Sequence, residues 1–401
     1  MNKLKRLGPG LLFAGAAIGV SHLVYSTRAG ADYGWGLLWA FLIINAFKYP
    51  FFEFGPRYAI ATGETLLDGY NKIGKKYLWF YAILNTTNMF TIQAAVTIVT
   101  AGLAAHFFGI SADISVWGSL IIIISSSLLI IGKYNLLDKL MKLIIVILSI
   151  CTFLSFILAI NNSTEFAPLH QILPKDSGLL FLIAFMGWMP APMDISIWHS
   201  IWSVEKQREI KNISFKETIY DFNVGYITTI FLGFCFIGLG SLVMFNTEIE
   251  FSDKGLVFAG QLIDLYTLNL GKSFTGIISL AAFTTMLSTT ITTLDASPRA
   301  FSKTIQLLFE KDKDYYLFFL FILSFGTIGI FLFFQSEMGF LVQIATVLSF
   351  LTTPFFAWIN LKLITSEFIP KKFRPSKLLI IFSWFGLVFL SAFTIGYLLT
   401  L

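Results

Sequence analysis

Charged residues are scarce in this sequence. Asp, Glu, Lys and Arg make up 13% of its 401 residues, whereas hydrophobic residues make up 56%. A soluble domain carries about 25% charged residues, which cover its surface in water. The shortage of charge excludes a soluble protein and indicates a chain that lies in a lipid bilayer.

Cysteine is nearly missing, and the sequence lacks the motifs typical of enzymes. Cys151 and Cys235 each stand alone in an apolar stretch, so neither a disulfide framework nor a CxxC redox or metal motif is present. No P-loop, HExxH motif or Cys/His zinc spacing occurs, and no nucleophile has a plausible base. We therefore expect no enzymatic activity and no cofactor. The basic residues are dispersed among short connections, which argues against nucleic-acid binding.

What the sequence has in abundance is apolar runs of about 20 residues, the length that crosses a bilayer. We find about eleven such runs, bounded by Gly, Pro or charged residues. They fall at 8–28, 34–61, 77–107, 113–132, 137–160, 178–202, 219–245, 268–298, 315–334, 338–361 and 377–400. We predict an all-α integral membrane protein with about eleven transmembrane helices, in which residues 1–401 form a single transmembrane domain.

The basic residues alternate between the two sides of these runs. If the N-terminus is cytoplasmic, the inner connections hold 22 Lys and Arg residues and the outer ones hold 4, namely Arg28, Lys175, Lys254 and Lys272. Cytoplasmic loops carry the excess of positive charge in membrane proteins. We predict a cytoplasmic N-terminus, an outside C-terminus and a location in the bacterial inner membrane. The partners expected are the lipid bilayer and a small ion, with no obligate protein partner.

A short repeat relates the first and sixth runs. Residues 10–13 read Gly-Leu-Leu-Phe with Gly19 nine residues after Gly10, and residues 178–181 read the same with Gly187 at the same spacing. One copy enters the membrane from inside and the other from outside. This pattern indicates inverted repeats at 8–160 (helices 1–5) and 178–361 (helices 6–10), followed by an extra helix at 377–400.

Both repeated runs contain a break. The first break reads Gly19-Val20-Ser21-His22, and the sixth-run break reads Met189-Pro190-Ala191-Pro192-Met193-Asp194. The two prolines free the carbonyl groups of Met186 and Trp188, which cannot face lipid but are tolerated where they line a cavity or bind an ion. Kinks for close helix packing are the alternative. Breaks at corresponding positions, each with an ionisable residue, favour a substrate site at the bilayer midplane.

Ionisable residues inside a membrane are costly and therefore candidates for function. His22 and Asp194 lie in the two breaks, where they form either a structural pair or, with Ser21, Met189 and Met193, a site for one small ligand. His22, Asp194 and Met193 are the candidate metal ligands.

Further polar positions extend this set. In the second run, Lys48, Glu53 and Arg57 recur, with Glu53 and Arg57 spaced to form a structural or gating ion pair. Gln343 and Thr346 lie one helical turn apart in the tenth run, where they reach the site or bond a neighbouring helix. His199 is a candidate for an inner vestibule. Asp221 is assigned to the N-terminus of its own helix.

Several segments resemble the Nramp family of divalent-metal transporters, whose fold is the LeuT-type inverted repeat. The clearest match is an ungapped stretch at residues 8–39, from Gly-Pro-Gly through Ala-Gly-Ala to Tyr-Gly-Trp-Gly-Leu-Leu-Trp. Shorter matches are Thr62-Gly63, His199-Ser200 and residues 354–357, Pro-Phe-Phe-Ala. The resemblance implies a transporter with about the same span number along nearly the whole chain.

The sequence departs from the family at its functional positions. The family's first-span Asp-Pro-Gly-Asn falls on residues 19–22, so the metal-binding carboxylate is absent there. The family's sixth-span Met-Pro-His falls on residues 192–194, which places a carboxylate at Asp194. Its third-span acidic pair falls on Gln93 and Val96, its tenth-span Gln falls on Thr346, and the ninth run holds no arginine. The exchange between the first and sixth spans predicts a permuted site in which His22 and Asp194 bind a divalent metal.

Two substrate hypotheses remain open. One is secondary active transport, as a symporter, of a divalent cation such as Mn²⁺ or Fe²⁺ through the permuted site. The other is transport of a small anion or neutral solute, such as bicarbonate or a carboxylate, at the partial positive charge of the half-helix N-termini. A membrane receptor without transport is a third reading, opposed by the lack of a signalling domain. Proton coupling through His22 is expected in the first case, with Glu53, Arg57, Gln93 and His199 as candidate gating or proton-path residues.

Overall fold

The computed structural model describes residues 8–110, 113–163, 167–210, 212–245, 252, 255–271, 275–333 and 338–399. Of the four basic residues assigned to the outer side, Lys254 and Lys272 lie outside these ranges. Within them, the secondary structure is entirely helical, as the apolar runs predict.

Fourteen α-helices follow one another along the described chain. They are α1 (Pro9–Ala17), α2 (Thr27–Tyr33), α3 (Leu38–Thr62), α4 (Leu66–Ile73), α5 (Lys75–Phe108), α6 (Ile114–Asn162), α7 (Ser177–Trp188), α8 (Ile195–Glu209), α9 (Phe215–Val243), α10 (Gly255–Leu270), α11 (Thr275–Phe309), α12 (Tyr316–Phe333), α13 (Met338–Ile364) and α14 (Lys377–Leu398). A π-helix at Ser21–Ser26 joins α1 to α2, and a short 3₁₀ helix lies at Lys371–Phe373.

Most of the predicted spans correspond to helices that are long and apolar enough to cross a membrane. Among the described residues, seven helical segments are long and apolar enough to cross a membrane, or eight when α1 and the π-helix with α2 are counted as one bent span. The other predicted spans fall short for identifiable reasons. Helix α3 carries Lys48, Glu53 and Arg57, the sixth span is divided into α7 and α8, and Val146–Asn162 is slightly short.

The fourth and fifth predicted spans are not separate helices. Apart from the N-cap Asp113, the predicted runs 113–132 and 137–160 lie in the single helix α6, Ile114–Asn162, which has 49 residues. A crossing needs only about 20 residues, so α6 is long enough for both apolar segments. The connection predicted at 133–136 reads Lys-Tyr-Asn-Leu, and because it holds neither Pro nor Gly, nothing in it stops a helix.

Two helices were absent from the sequence prediction. Helix α4 begins at a capping box in which Thr65 and Asp68 satisfy each other's backbone N–H groups. Helix α10 occupies residues 255–270, which were assigned to the connection between the seventh and eighth runs. Both are shorter than a membrane span, at 8 and 16 residues. A search for runs of about 20 apolar residues therefore passes over them.

The first span is bent by 50° at residues 18–20 and packs closely on α9. A Cβ atom built on Gly10 would lie 2.0 Å from the carbonyl oxygen of Asp221, and one on Gly225 would lie 2.0 Å from that of Gly10. Beyond the bend, Gly30 and Gly240 make equally close approaches to the facing backbone. These glycines let the two backbones touch where any side chain would separate them.

Asp221 caps a helix other than its own. Its two carboxylate oxygens accept hydrogen bonds from the N–H groups of Gly8, at 3.0 Å, and Gly10, at 2.7 Å. The prediction that it serves the start of its own helix is therefore wrong. Helix α9 begins at Phe215, where Ser214 and Glu217 form a capping box. The carboxylate instead fixes the N-terminus of α1 against α9, where the helix dipole favours negative charge.

Candidate substrate site at the two broken helices

Hydroxyl groups close the first break. The Thr289 hydroxyl on α11 has one proton to donate, and its Oγ1 lies 3.0 Å from the carbonyl oxygen of Gly15 and 3.3 Å from those of Ile18 and Thr285. Ser21 donates from its Oγ to the carbonyl of Ala17 at 2.6 Å. The carbonyl groups released where α1 ends are thus satisfied by neutral donors, as backbone groups buried in a membrane protein must be.

His22 lies in the π-helix and faces α9. Its Nε2 is 2.9 Å from the carbonyl oxygen of Thr229, and its Nδ1 is 2.7 Å from the Ser21 hydroxyl. Its ring also meets Phe236 edge-on, with centroids 6.5 Å apart. In this conformation both ring nitrogens are engaged with the first span and α9.

A lysine closes the sixth-span break. The Lys48 ammonium on α3 donates to the carbonyl oxygens of Met186, at 2.9 Å, Gly187, at 2.7 Å, and Ala191, at 3.4 Å. Lys48 is fully buried, with 0% of its surface exposed. The prediction that the prolines free the Met186 carbonyl for another partner is confirmed. The partner is a positive charge from the second span, on a residue that the sequence grouped with Glu53 and Arg57.

Asp194 lies at the end of this break, directly before α8. It is 3% exposed, and its Oδ1 atom has no hydrogen-bond partner. The positive charge of Lys48 attracts the Asp194 carboxylate without direct contact. The negative charge of Asp194 also acts on Tyr81 of α5. The Tyr81 hydroxyl is also buried without a partner. A buried carboxylate oxygen left unpaired is costly, which marks the place as one for a ligand or ordered water.

The first span makes polar contacts with the sixth-span break and with α13. Ser26 donates from its Oγ to the Met189 sulfur at 3.9 Å, and the Tyr25 hydroxyl is 3.2 Å from the Thr346 hydroxyl. Thr346 therefore reaches the first span, as one reading of the tenth run predicts. The carbonyl of Gln343 accepts a bond from the Thr346 side chain.

A small cavity lies between the breaks. Its volume is about 20 Å³, enough for one water molecule. Val20 and Ser21 of the first break and Pro192 of the second line it, together with Val96 on α5 and Thr289 on α11. Among the predicted site residues, the structure thus gathers Val20, Ser21 and Pro192 around one space. His22, Met189, Met193 and Asp194 are buried but do not line it.

Two other candidates are buried in packed surroundings. Gln93 donates to Thr97, at 3.1 Å, and accepts from Thr293 on α11, at 2.8 Å. His199 is 1% exposed, its ring stacks on Phe13 at 5.6 Å, and its Nδ1 has no partner. Roles for Gln93 and His199 in a proton path or vestibule stay predictions.

The ion pair predicted between Glu53 and Arg57 is present, and a second pair with the same spacing joins Asp295 and Arg299. Arg57 donates from its Nε to the Glu53 carboxylate at 2.8 Å and from its Nη1 to the Phe373 carbonyl at 2.8 Å. Arg299 donates from its Nε to Asp295 at 2.7 Å. Glu53 and Arg57 thus tie α3 to the connection before α14; a gating role stays a prediction.

Sequence reasoning gave too little weight to Lys48 and none to Thr289. The available signal for Lys48 was its position in the middle of a predicted span, where an ammonium needs several acceptors. The Met186 carbonyl, which Pro190 frees, was one acceptor that the sequence already offered. For Thr289 no comparable signal existed, because α11 holds many Ser and Thr residues with similar surroundings.

The comparisons with known proteins agree along nearly the whole chain. The family model described as natural resistance-associated macrophage protein-like, Nramp, matches residues 10–400. An uncharacterized protein of Pasteurella multocida (strain Pm70) is 35% identical over 402 residues, which cover 98% of this chain and 92% of that protein.

Solved structures show the fold. A crystal structure of a mutant manganese transporter of Eremococcus coleocola matches 98% of this chain and 85% of its own with a TM-score of 0.75 and 14% identity. A closed-conformation structure of a nucleobase-cation-symport-1 family transporter with bromovinylhydantoin bound matches 98% and 92% with a TM-score of 0.61 and 11% identity. The fold is of the LeuT type, with its first and sixth spans interrupted. The chain belongs to the Nramp family and is a membrane transporter rather than an enzyme.

Proposed function

We propose that this transporter carries a divalent metal cation, of the Mn²⁺ or Fe²⁺ type, by alternating access at the two breaks. The observation that carries the proposal is the Oδ1 of Asp194, a buried carboxylate oxygen without a hydrogen-bond partner. Carboxylate oxygens suit Mn²⁺. Membership in the Nramp family and the likeness to a manganese transporter support the same cargo.

The permuted site needs a rearrangement to form. Among the described residues, no group of three or more His, Cys, Asp or Glu side chains is placed to hold a metal ion. For His22 to join Asp194 and Met193 as a ligand, its ring has to leave the Thr229 carbonyl and turn from α9 towards the sixth span. We infer that such a turn accompanies cargo binding, together with an opening of the small cavity.

Uptake by proteoliposomes tests this proposal. We expect Mn²⁺ uptake by the wild type and a loss of about 10-fold or more in Asp194→Asn, which keeps the side-chain shape and removes the charge. Asp264→Asn, on the exposed face of α10, is the matched control and should transport normally. Full uptake by Asp194→Asn, or no response to any transition metal, would refute the proposal.

One observation favours the second candidate, a small anion. Lys48 places a buried ammonium beside the sixth-span break, and the N-terminus of α8 adds partial positive charge there. Thermal stabilisation of the purified protein separates the two candidates, since a ligand that binds the folded state raises the unfolding temperature. Stabilisation by Mn²⁺ supports a cation, and stabilisation by bicarbonate or small carboxylates without any metal effect supports an anion.

Orientation and coupling belong to the same proposal. The excess of basic residues in one set of the predicted connections supports a cytoplasmic N-terminus and an outside C-terminus, in a bacterial inner membrane. We infer that His22 takes part in proton coupling when its ring leaves the Thr229 carbonyl, because its two nitrogens are then open to other partners. Mn²⁺ uptake that is indifferent to an imposed pH gradient would contradict the coupling.

A further inference from the structure

The Lys48 ammonium sits in a cradle of backbone carbonyl oxygens. Three of them, from Met186, Gly187 and Ala191, lie within 3.4 Å of its Nζ. Met186 and Gly187 belong to the last turn of α7, where the carbonyl groups carry the partial negative charge of the helix. The oxygens of this cradle therefore attract a positive charge, whether it belongs to a side chain or to a free cation.

Such oxygens are the ligands that interrupted transporter helices offer to monovalent cations. Unwound backbone carbonyls and half-helix C-terminal ends coordinate Na⁺ in transporters of this architecture, and rings of carbonyls replace the hydration shell of K⁺ in channels. An ammonium group carries the same single charge and has three N–H donors, one for each carbonyl. The Asp194 carboxylate, which attracts the Lys48 charge, adds the negative charge that such a site requires.

A comparison with the first break shows that hydrogen bonding alone does not require a charge. There the Thr289 hydroxyl bonds two carbonyl oxygens from a short, neutral side chain. At the sixth-span break a fully buried lysine reaches across from α3 for the same purpose, although burying an ammonium costs far more than burying a hydroxyl. The extra cost is explained if the place itself selects a cation.

We propose that the sixth-span break is a monovalent-cation site and that the chain fills it with its own Lys48 ammonium. The cation is held by a covalent tether and cannot leave with the cargo or exchange with the solution. A variant with a short side chain at position 48 leaves the carbonyl cradle empty, and a small free cation then binds there. The proposal is independent of which cargo is transported.

The experiment measures thermal unfolding of the purified Lys48→Ala protein in choline chloride and at equal ionic strength in NaCl, KCl or methylammonium chloride. We expect Lys48→Ala to unfold at a lower temperature than the wild type in choline. At least one small cation should raise its midpoint by about 2 °C or more, in a saturable manner. The wild type should show no such difference between salts, because its site is already filled.

Two control variants separate a filled site from a general salt effect. Lys48→Met also removes the charge but leaves an apolar side chain in the cradle, so no cation should stabilise it. Lys206→Ala removes another buried lysine, near the end of α8 and away from the break, and should respond equally to all salts. If Lys48→Ala yields no folded protein, Lys48→Ser takes its place, since its short side chain also leaves the cradle empty.

The proposal is overturned if no small cation stabilises Lys48→Ala or Lys48→Ser more than choline does. It is also overturned if the small cation raises the unfolding midpoints of Lys48→Met and Lys206→Ala as much as it raises that of Lys48→Ala. Neither transport nor any divalent metal enters the measurement. Failure of Mn²⁺ uptake therefore leaves this inference intact, and failure of the cation series leaves the proposed cargo intact.

Discussion

The two broken helices satisfy their free carbonyl groups by different means. At the first break the donors are hydroxyls, from Thr289 and Ser21, and the span leans on α9 and α11. At the sixth-span break the donor is the Lys48 ammonium from α3, and the Oδ1 of the Asp194 carboxylate has no hydrogen-bond partner. One break is thus neutral and the other is charged, although both are interruptions of apolar helices at corresponding places in the chain.

This difference indicates which break contributes more to the free energy of unfolding. Neutral hydrogen bonds contribute about 1 kcal/mol each, whereas a buried charge that loses its partners leaves a penalty of several kcal/mol. The side-chain hydrogen bonds of the sixth-span break should therefore be costly to break, and those of the first break should change partners at lower cost. The following variants test this contrast.

Lys48→Met should have the strongest effect on stability. It leaves the Met186 and Gly187 carbonyls without their donor and Asp194 without its counter-charge. We expect the free energy of unfolding to fall by about 3 kcal/mol, measured by chemical unfolding in detergent micelles. Lys206→Met, at a buried lysine outside the break, is the comparison. If the two variants lose equal stability, the charged break is not special.

Thr289→Val should weaken the first break less. The valine keeps the shape of the side chain but cannot donate to the carbonyls of Gly15 and Ile18. We expect a loss of about 1–2 kcal/mol by the same measurement. Thr285→Val is the matched control, because the Thr285 hydroxyl bonds only the Ala281 carbonyl of its own helix at 2.7 Å. A loss as large as that of Lys48→Met would remove the contrast between the breaks.

A double-mutant cycle tests whether Lys48 and Asp194 act together. We expect Lys48→Met combined with Asp194→Asn to be about 1 kcal/mol more stable than the sum of the single losses. The reason is that Asp194→Asn removes the negative charge that Lys48→Met leaves uncompensated. Strict additivity in unfolding experiments would mean that the two groups are energetically independent.

His22→Gln should have the smallest effect on stability and a large one on transport. The glutamine amide can still donate to the Thr229 carbonyl, so the loss should be about 0.5 kcal/mol. If the first break supplies a ligand to the cargo, Mn²⁺ uptake should nevertheless fall several-fold. Unchanged uptake would show that the neutral break serves only as structure and would leave Asp194 without its predicted partner.

Most of the fold and part of the site could be predicted from the sequence. Apolar run length predicts spans because lipid permits little else, and Gly and Pro marked both interruptions. The fate of individual polar groups was harder to predict. Asp221 caps the helix across from it, His22 bonds α9, and Lys48 leaves its neighbours Glu53 and Arg57 to reach the sixth span. Each of these partners lies more than 130 positions away, and spacing within one helix says nothing about them.

The glycine contacts between the first span and α9 have a mechanical consequence. Gly10 and Gly225 touch backbone to backbone before the bend, and Gly30 and Gly240 do so after it. Two such anchor points on one helix fix the angle between the halves of the first span, so its 50° bend is set largely by α9. Straightening the span would require at least one anchor to separate. The bend of the first span is therefore held by glycines, which have no side chain.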